Sequence, residues 1–179
     1  YPGTCRHLSE QERSNRLKSA DPQQIAWRLD MQKANAAVGT LSWNDHEKGD
    51  IVAAPEQFGD VILVRKDIGT SYHLSVTIDD ADQDITLVTR GDDLFESTHI
   101  HRLLQALLDL PVPQWHHHQL IADDKGERLA KRDNARSLRE LREQGRTAEE
   151  VREQLAKAVA HSDRPERRDD AIRLKADLH

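Results

Sequence analysis

An α/β fold is what this sequence predicts, and three patterns carry the prediction. Tyr72, Leu74, Val76 and Ile78 alternate with His73, Ser75 and Thr77, which puts four apolar side chains on one face of a strand. Ile100, Leu103, Leu104, Leu107 and Leu108 then fall at i, i+3, i+4, i+7 and i+8, the stripe of an amphipathic helix. Short apolar runs at 61–64, 85–88 and 115–122 lie between turn residues, as strands do. Strands interleaved with helices belong to the layered α/β class. At 179 residues, 36% hydrophobic and 32% charged, the chain has apolar material for one compact domain with charged additions.

In chain order, Ser9-Glu-Gln-Glu12 has the form of a capping box and predicts a helix over 9–20, with a thin apolar stripe and a stop at Asp21-Pro22. Ile25 to Leu29 reads as a short strand. The next thirty residues, through Gly39, Gly49 and Pro55, read mostly as an excursion with a weak strand at Ile51-Val52. Val61 to Val64 suits a strand covered on both faces, and Asp67-Ile-Gly-Thr70 is turn-like. The 85–88 strand runs into Thr89-Arg90-Gly91. Ser97 or Thr98 is placed to cap the helix of 94–110, which Pro111 and Pro113 stop. The strand at 115–122 leads through the turn Asp123-Asp-Lys-Gly126 into a basic loop. Two helices follow, 135–144 stopped by Gly145 and 147–160 opened by a second capping box, Thr147 with Glu150. The tail, 161–179, is charge-rich, and no internal repeat is visible.

Composition narrows the function classes. A net charge of −6 and a pI near 5.9 argue against a protein that coats nucleic acid indiscriminately, which needs many phosphates neutralised at once. A local exception exists: Lys125 to Arg146 holds eight Lys and Arg against four acids. No apolar run approaches the ~20 residues of a membrane span, and no secretory pattern is present. The single cysteine, Cys5, cannot close an internal disulfide, which fits a reducing compartment and a cytoplasmic location. The first residue is Tyr1 rather than Met, and the expectation is that the chain is the later part of a longer protein.

Several constellations are candidates for chemistry. Arg90 closes a strand just before Gly91, the edge position where α/β proteins place ligand contacts, and a guanidinium there can grip a carboxylate through two parallel hydrogen bonds. The competing reading pairs Arg90 with Asp92, Asp93 or Glu96 and makes Tyr72 a half-buried core aromatic. Asp79-Asp80 reads as structural, since neighbours on a strand point to opposite faces. His116-His117-His118 invites a zinc reading, but alternate strand residues diverge and zinc sites gather four placed ligands. Arg128-Leu129-Ala130-Lys131-Arg132 lies between a strand and a helix, where cations can neutralise phosphates, or is a solvated basic turn. Tyr1 and Cys5 form a Tyr-x-x-x-Cys pair that is not by itself a metal site.

Taken jointly, these pieces resemble the glutamyl-Q tRNA(Asp) synthetases, shortened relatives of bacterial glutamyl-tRNA synthetase. The resemblance runs from Tyr1 to about Leu155 and is most specific over Tyr72-His-Leu-Ser-Val-Thr-Ile-Asp-Asp80, Val88-Thr-Arg-Gly-Asp-Asp-Leu94 and Glu127-Arg-Leu-Ala-Lys-Arg-Asp133. It implies a partial Rossmann-like class I aminoacyl-tRNA synthetase catalytic domain with C-terminal helices. On that reading, residues 1–59 are a zinc-site remnant, helix and connecting insertion, 60–133 the second half of the nucleotide-binding domain, 134–160 the helices and 161–179 a charged tail.

The resemblance also implies roles. Tyr72 and Arg90 would hold glutamate. The basic loop matches the Lys-Met-Ser-Lys-Ser signature over the ATP phosphates, with Lys131 inheriting the ATP contact and Arg128 and Ala130 departing from the pattern. Tyr1 and Cys5 would be the last two ligands of a Zn2+ site. The implied reaction activates glutamate with ATP and Mg2+ and passes it to the queuosine base at the wobble position of tRNA(Asp); no side-chain nucleophile is needed. The family's first signature and a Cys-x-Cys pair have no counterpart from Tyr1 on, so the expectation is a chain that alone neither activates glutamate nor retains zinc firmly. The alternatives are a catalytic fragment of an ordinary glutamyl-tRNA synthetase and a non-catalytic remnant that binds glutamate or RNA.

Overall fold

The computed structural model describes residues 3–120 and 137–162. The chain divides into two compact units, residues 1–117 and 118–179.

In the first unit, α1 (Glu10–Ser19) opens on Ser9, whose hydroxyl accepts the Glu12 amide while the Glu12 carboxylate accepts the Ser9 amide, the reciprocal cap expected. It buries no residue, as its thin stripe implies. The expected strand at 25–29 shrinks to β1 (Trp27–Arg28). The following stretch corrects the excursion reading. It contains α2 (Met31–Val38), capped by Asp30 and ended at Gly39, whose φ of +68° favours a residue without Cβ. The hairpin of β2 (Ser42–Asp45) and β3 (Gly49–Val52) comes next. Met31 and Ala34 of α2 form the core with Leu103, flanked by Leu29, Val38, Leu41, Val61 and Leu107. The apolar spacing of α2 is too short to announce a helix, but its Asp30 cap and Gly39 stop bracket one.

β4 (Ile62–Val64) pairs antiparallel with β1 in a separate two-stranded sheet, and its residues are half-buried rather than covered on both faces. The largest correction follows. Residues 72–78 are not a strand but the first two turns of α3 (Tyr72–Asp82). Ser71, in extended backbone, accepts the Leu74 amide through its hydroxyl and the Ser75 amide through its carbonyl, which nucleates the helix. The Thr77 hydroxyl bonds back to the His73 carbonyl at 2.7 Å, so a β-branched residue is accommodated in mid-helix. Thr77 is the buried residue of α3, His73, Leu74, Ser75, Val76 and Asp80 are half-buried, and Tyr72 and Ile78 are exposed. With a threonine as its buried residue the helix shows no apolar stripe to hydrophobic periodicity, and the chance alternation of apolar residues wins by default.

β5 (Leu87–Gly91) lies at one edge of the four-stranded sheet, and α4 (Ser97–Leu107) packs on both α2 and α3. Ile100, Leu103 and Leu104 are buried as their spacing predicts, whereas Leu108 stays exposed. Neither Ser97 nor Thr98 caps α4. A 3-10 turn at Asp92–Leu94 leads in, and the carbonyls of Phe95 and Glu96 take the first amides. β6 (Gln114–His118) completes the sheet in the order β3-β2-β6-β5; β2 runs antiparallel to β3 and parallel to β6, with Asp45 opposite Trp115.

In the second unit, α5 (Leu138–Glu143) and α6 (Ala148–Ser162) start on capping boxes, Ser137 with Glu140 and Thr147 with Glu150. The α/β class is as the sequence predicts. Among the described residues no helix is long and apolar enough to cross a membrane.

Candidate functional site

Arg90, the penultimate residue of β5, reaches a polar corner made by α3, α4 and β6. Its Nε donates to His117 Nε2 at 3.0 Å, Nη2 to Thr98 Oγ1 at 2.5 Å, and Nη1 to His101 Nδ1 at 3.2 Å and to the Tyr72 hydroxyl at 3.5 Å. Tyr72 and Arg90, eighteen residues apart, are therefore brought together, from a helix and a strand rather than from two strands. The pairing of Arg90 with Asp92, Asp93 or Glu96 does not form: all four hydrogen-bond partners are neutral, and Asp80 and Asp93 act on it only through charge. Burial lowers the guanidinium's pKa, against the opposing pull of Tyr72, Asp80 and Asp93; an arginine stays protonated regardless. The corner thus holds a cation that among the described residues has no directly bonded carboxylate, with the Tyr72 contact, on a half-exposed side chain, the loosest of the four.

The histidines are held neutral. Burial first, and then the charge of Arg90, push the His101 imidazole down to about 2, and the same two causes lower His73. His117 is lowered chiefly by burial, against its hydrogen bond to Asp45. Neutrality fixes the tautomers through the network. His101 must present a bare Nδ1 to Arg90, so its Nε2 carries the proton and donates to His73 Nδ1 at 3.1 Å. His117 must present a bare Nε2, so its Nδ1 carries the proton and donates to Asp45 Oδ2 at 2.6 Å. Asp45 is 1% exposed; burial would raise its carboxyl, but hydrogen bonds from His117 and from the Glu47 and Lys48 amides hold it below its ordinary value.

Asp45 and His101 are residues that reading the sequence missed, while Thr98 stands out there only as a cap and His117 only within a histidine run weighed for zinc. For His117 a signal existed: strand parity places it on the same face as Trp115, and both are buried. Nothing local marks Asp45, a hairpin residue seventy-two positions away. Of the His116-His117-His118 run, only His117 faces inward, so the divergence expected of strand neighbours holds. Asp79 and Asp80 sit on a helix, not a strand; Asp79 is exposed, and burial raises the half-buried Asp80 while Arg90 opposes the shift.

Other candidate residues lie elsewhere. Arg128, Leu129, Ala130, Lys131 and Arg132 fall outside the described residues, as does Tyr1. Cys5 is exposed, and among the described residues no three His, Cys, Asp or Glu side chains are grouped to hold a metal ion, so a zinc site is not made up by them. Within the second unit, α5 and α6 enclose a hollow of about 530 Å³ lined by Leu138, Leu141, Val151 and Leu155 and rimmed by Arg139, Arg142, Arg146 and Arg152.

Comparison with known proteins places this geometry. The family described as "tRNA synthetases class I (E and Q), catalytic domain" matches residues 1–166. A glutamyl-Q tRNA(Asp) synthetase of Rhodobacter capsulatus is 47% identical over 156 residues, covering 85% of this chain and 54% of the relative. One of Nocardia farcinica is 36% identical, covering 93% and 50%. Among solved structures, the glutamate-tRNA synthetase of Elizabethkingia anophelis superposes with a TM-score of 0.56 at 29% identity, over 71% of this chain and 25% of that one. The chain spans about half the length of these curated relatives.

Proposed function

The chain belongs to the class I tRNA synthetases for glutamate and glutamine, as the family match over residues 1–166 shows, and from that premise we propose that its Arg90–Tyr72 corner binds L-glutamate for activation by ATP. The observation that carries the reading is the guanidinium of Arg90, half-buried and hydrogen-bonded only to neutral groups. A half-buried cation whose nearby carboxylates, Asp80 and Asp93, act only through charge is incompletely compensated, and an incoming carboxylate supplies a direct partner. Four of the five N–H groups point at protein acceptors, which fixes the guanidinium plane. The exposed Tyr72 hydroxyl can turn to share the ligand.

The chemistry assigns which carboxylate is held. In adenylate formation the α-carboxylate attacks the α-phosphorus of ATP and pyrophosphate departs, so the α-carboxylate must stay unneutralised and reach the phosphorus. Arg90 accordingly takes the side-chain carboxylate, and the protein's task is alignment and charge stabilisation rather than nucleophilic catalysis. Lys131, with Arg128 and Arg132 beside it in the sequence, is assigned to the phosphates, where Mg2+ accompanies ATP. A structural zinc would take Tyr1 and Cys5 as two of its four ligands; no step here depends on it.

The acceptor in this proposal is queuosine-containing tRNA(Asp), supported by the names of the two relatives above. The arginine rim of α5 and α6 supplies cations suited to a phosphate backbone. Calorimetric titration of the chain with L-glutamate tests the first step: binding is expected, and its absence rejects the reading. In the full-length gene product, glutamyl transfer to queuosine-containing tRNA(Asp) but not to tRNA(Glu) is expected; the reverse preference makes it an ordinary glutamyl-tRNA synthetase.

A further inference from the structure

Arg90 is aimed by a residue that never touches it. Its Nε–H needs a lone pair at His117 Nε2, and an imidazole offers one there only while its proton sits on Nδ1. What keeps the proton on Nδ1 is Asp45, whose Oδ2 lies 2.6 Å from it. Asp45 is itself immobilised. Oδ1 accepts the amides of Glu47 at 2.9 Å and Lys48 at 3.1 Å, in the turn joining β2 to β3, and Oδ2 also accepts the His117 amide at 3.3 Å. A buried carboxylate with all its acceptor positions taken by donors has one stable orientation. The packing leaves His117 no freedom either: Phe95 lies edge-on to its ring at 5.1 Å and Trp43 at 5.9 Å.

We propose that Asp45 is a positioning residue for the carboxylate site, acting through the tautomer of His117 to hold Arg90 as an oriented cation. This rests on the reading of Arg90 as the glutamate contact. The carboxylate has a second effect. It pairs with the neutral imidazole and not with Arg90 itself, so the guanidinium is oriented without being neutralised. A carboxylate placed directly on Arg90 would orient it equally well and cancel the charge that a substrate must meet.

Replacing Asp45 by Asn separates shape from proton direction. The amide oxygen of the new side chain belongs where the Glu47 and Lys48 amides converge, which turns its NH2 toward His117. An NH2 donor at Nδ1 drives the imidazole proton to Nε2, where it confronts the Arg90 Nε–H. The prediction for Asp45→Asn in the full chain is therefore a switch of His117 from the Nδ1–H to the Nε2–H form, read from its ring nitrogen shifts by long-range 1H–15N NMR. With it, affinity for L-glutamate falls roughly ten- to hundredfold, the range for losing a hydrogen bond to a charged group. A His117 that carries its proton on Nε2 in the unaltered chain overturns the proposal, and so does an Asp45→Asn chain that binds glutamate as tightly as the parent.

Should Asp45→Asn not fold, the comparison moves to His117. Gln offers an amide oxygen to Arg90 and an NH2 to Asp45, whereas Leu fills the space with neither. His117→Gln is expected to bind glutamate about tenfold more tightly than His117→Leu; equal affinities overturn the proposal. Failure of the underlying reading looks different: the unaltered chain then binds no glutamate, while the His117 tautomer still reports whether Asp45 sets it.

Discussion

Arg6 and Arg90 both extend from near the surface into a polar interior, and they meet opposite company there. Arg6 Nη2 donates to Asp60 Oδ2 at 2.5 Å, a direct ion pair with a buried carboxylate that also accepts the Met31 amide at 3.1 Å. That pair is neutral as a unit, and the Arg6 hydrogen bond, the largest cause, holds the Asp60 carboxyl below its ordinary value. Arg90 has a tyrosine, a threonine and two neutral imidazoles instead. The first arrangement completes itself and fastens the chain before α1 to the start of α2 and β4. The second is complete in geometry and incomplete in charge. The contrast teaches where to look for a ligand: at the cation whose orientation is fixed and which, among the described residues, is hydrogen-bonded to no carboxylate.

The sharpest way to break this contrast is Arg90→Ala, which should weaken glutamate binding by roughly a hundredfold or more, since a charged hydrogen-bonding group is lost. Calorimetry reads the loss, and thermal unfolding should show no matching drop in stability, because a costly buried charge is removed along with its hydrogen bonds. An affinity unchanged within threefold places the anion site elsewhere.

The neutral histidines make a pH prediction. The folded state holds His73, His101 and His117 below the ordinary imidazole value, His101 down to about 2. The unfolded chain takes protons near pH 6.5 that the folded chain refuses. Stability is therefore fully present above that pH and is lost as pH falls below it, by up to about 1.4 kcal/mol per pH unit for His101, with His73 and His117 acting in the same direction. Denaturant titrations at pH 7 and pH 5 should show the loss, and His101→Gln should flatten it; a slope unaffected by that substitution contradicts the assignment.

Smaller effects test the self-complete side. Asp60→Ala should cost about 2 kcal/mol in denaturant unfolding, because the Met31 amide at the start of α2 loses a buried acceptor. Tyr72→Phe should weaken glutamate binding by roughly threefold to tenfold with unchanged stability, the hydroxyl being on a half-exposed ring. Arg6→Ala should change stability by about 0.5 kcal/mol, as its side chain is 46% exposed and the pair is screened. If Arg6→Ala proves as damaging as Asp60→Ala, the pair rather than the amide contact fastens α2.

Different parts of the molecule were legible in the sequence to different degrees. The capping boxes at Ser9 and Thr147 and the Ile100–Leu103–Leu104 stripe could be read directly, because caps and apolar stripes are local patterns that tertiary packing rarely overrides, whereas the box at Ser137, inside the helix expected over 135–144, emerged only from the structure. The pairing of Tyr72 with Arg90 was anticipated from their residue types and from the family resemblance, but on the wrong element for Tyr72. The alternation over 72–78 suggests a strand, and only the structure shows why a helix wins: Thr77 is buried with its hydroxyl on the His73 carbonyl, and His73 meets His101, supplied by another element.

The sequence by itself determined the α/β class and the ends of several helices, since each rests on neighbours within a few positions. Only the tertiary structure decided that Arg90 is hydrogen-bonded to Tyr72, Thr98, His101 and His117 rather than to a carboxylate, and that Asp45, from a hairpin forty-five residues before it, bonds to that same His117. Hydrogen-bond direction and the charge left over after pairing are properties of groups assembled from distant strands and helices, and no local pattern encodes them.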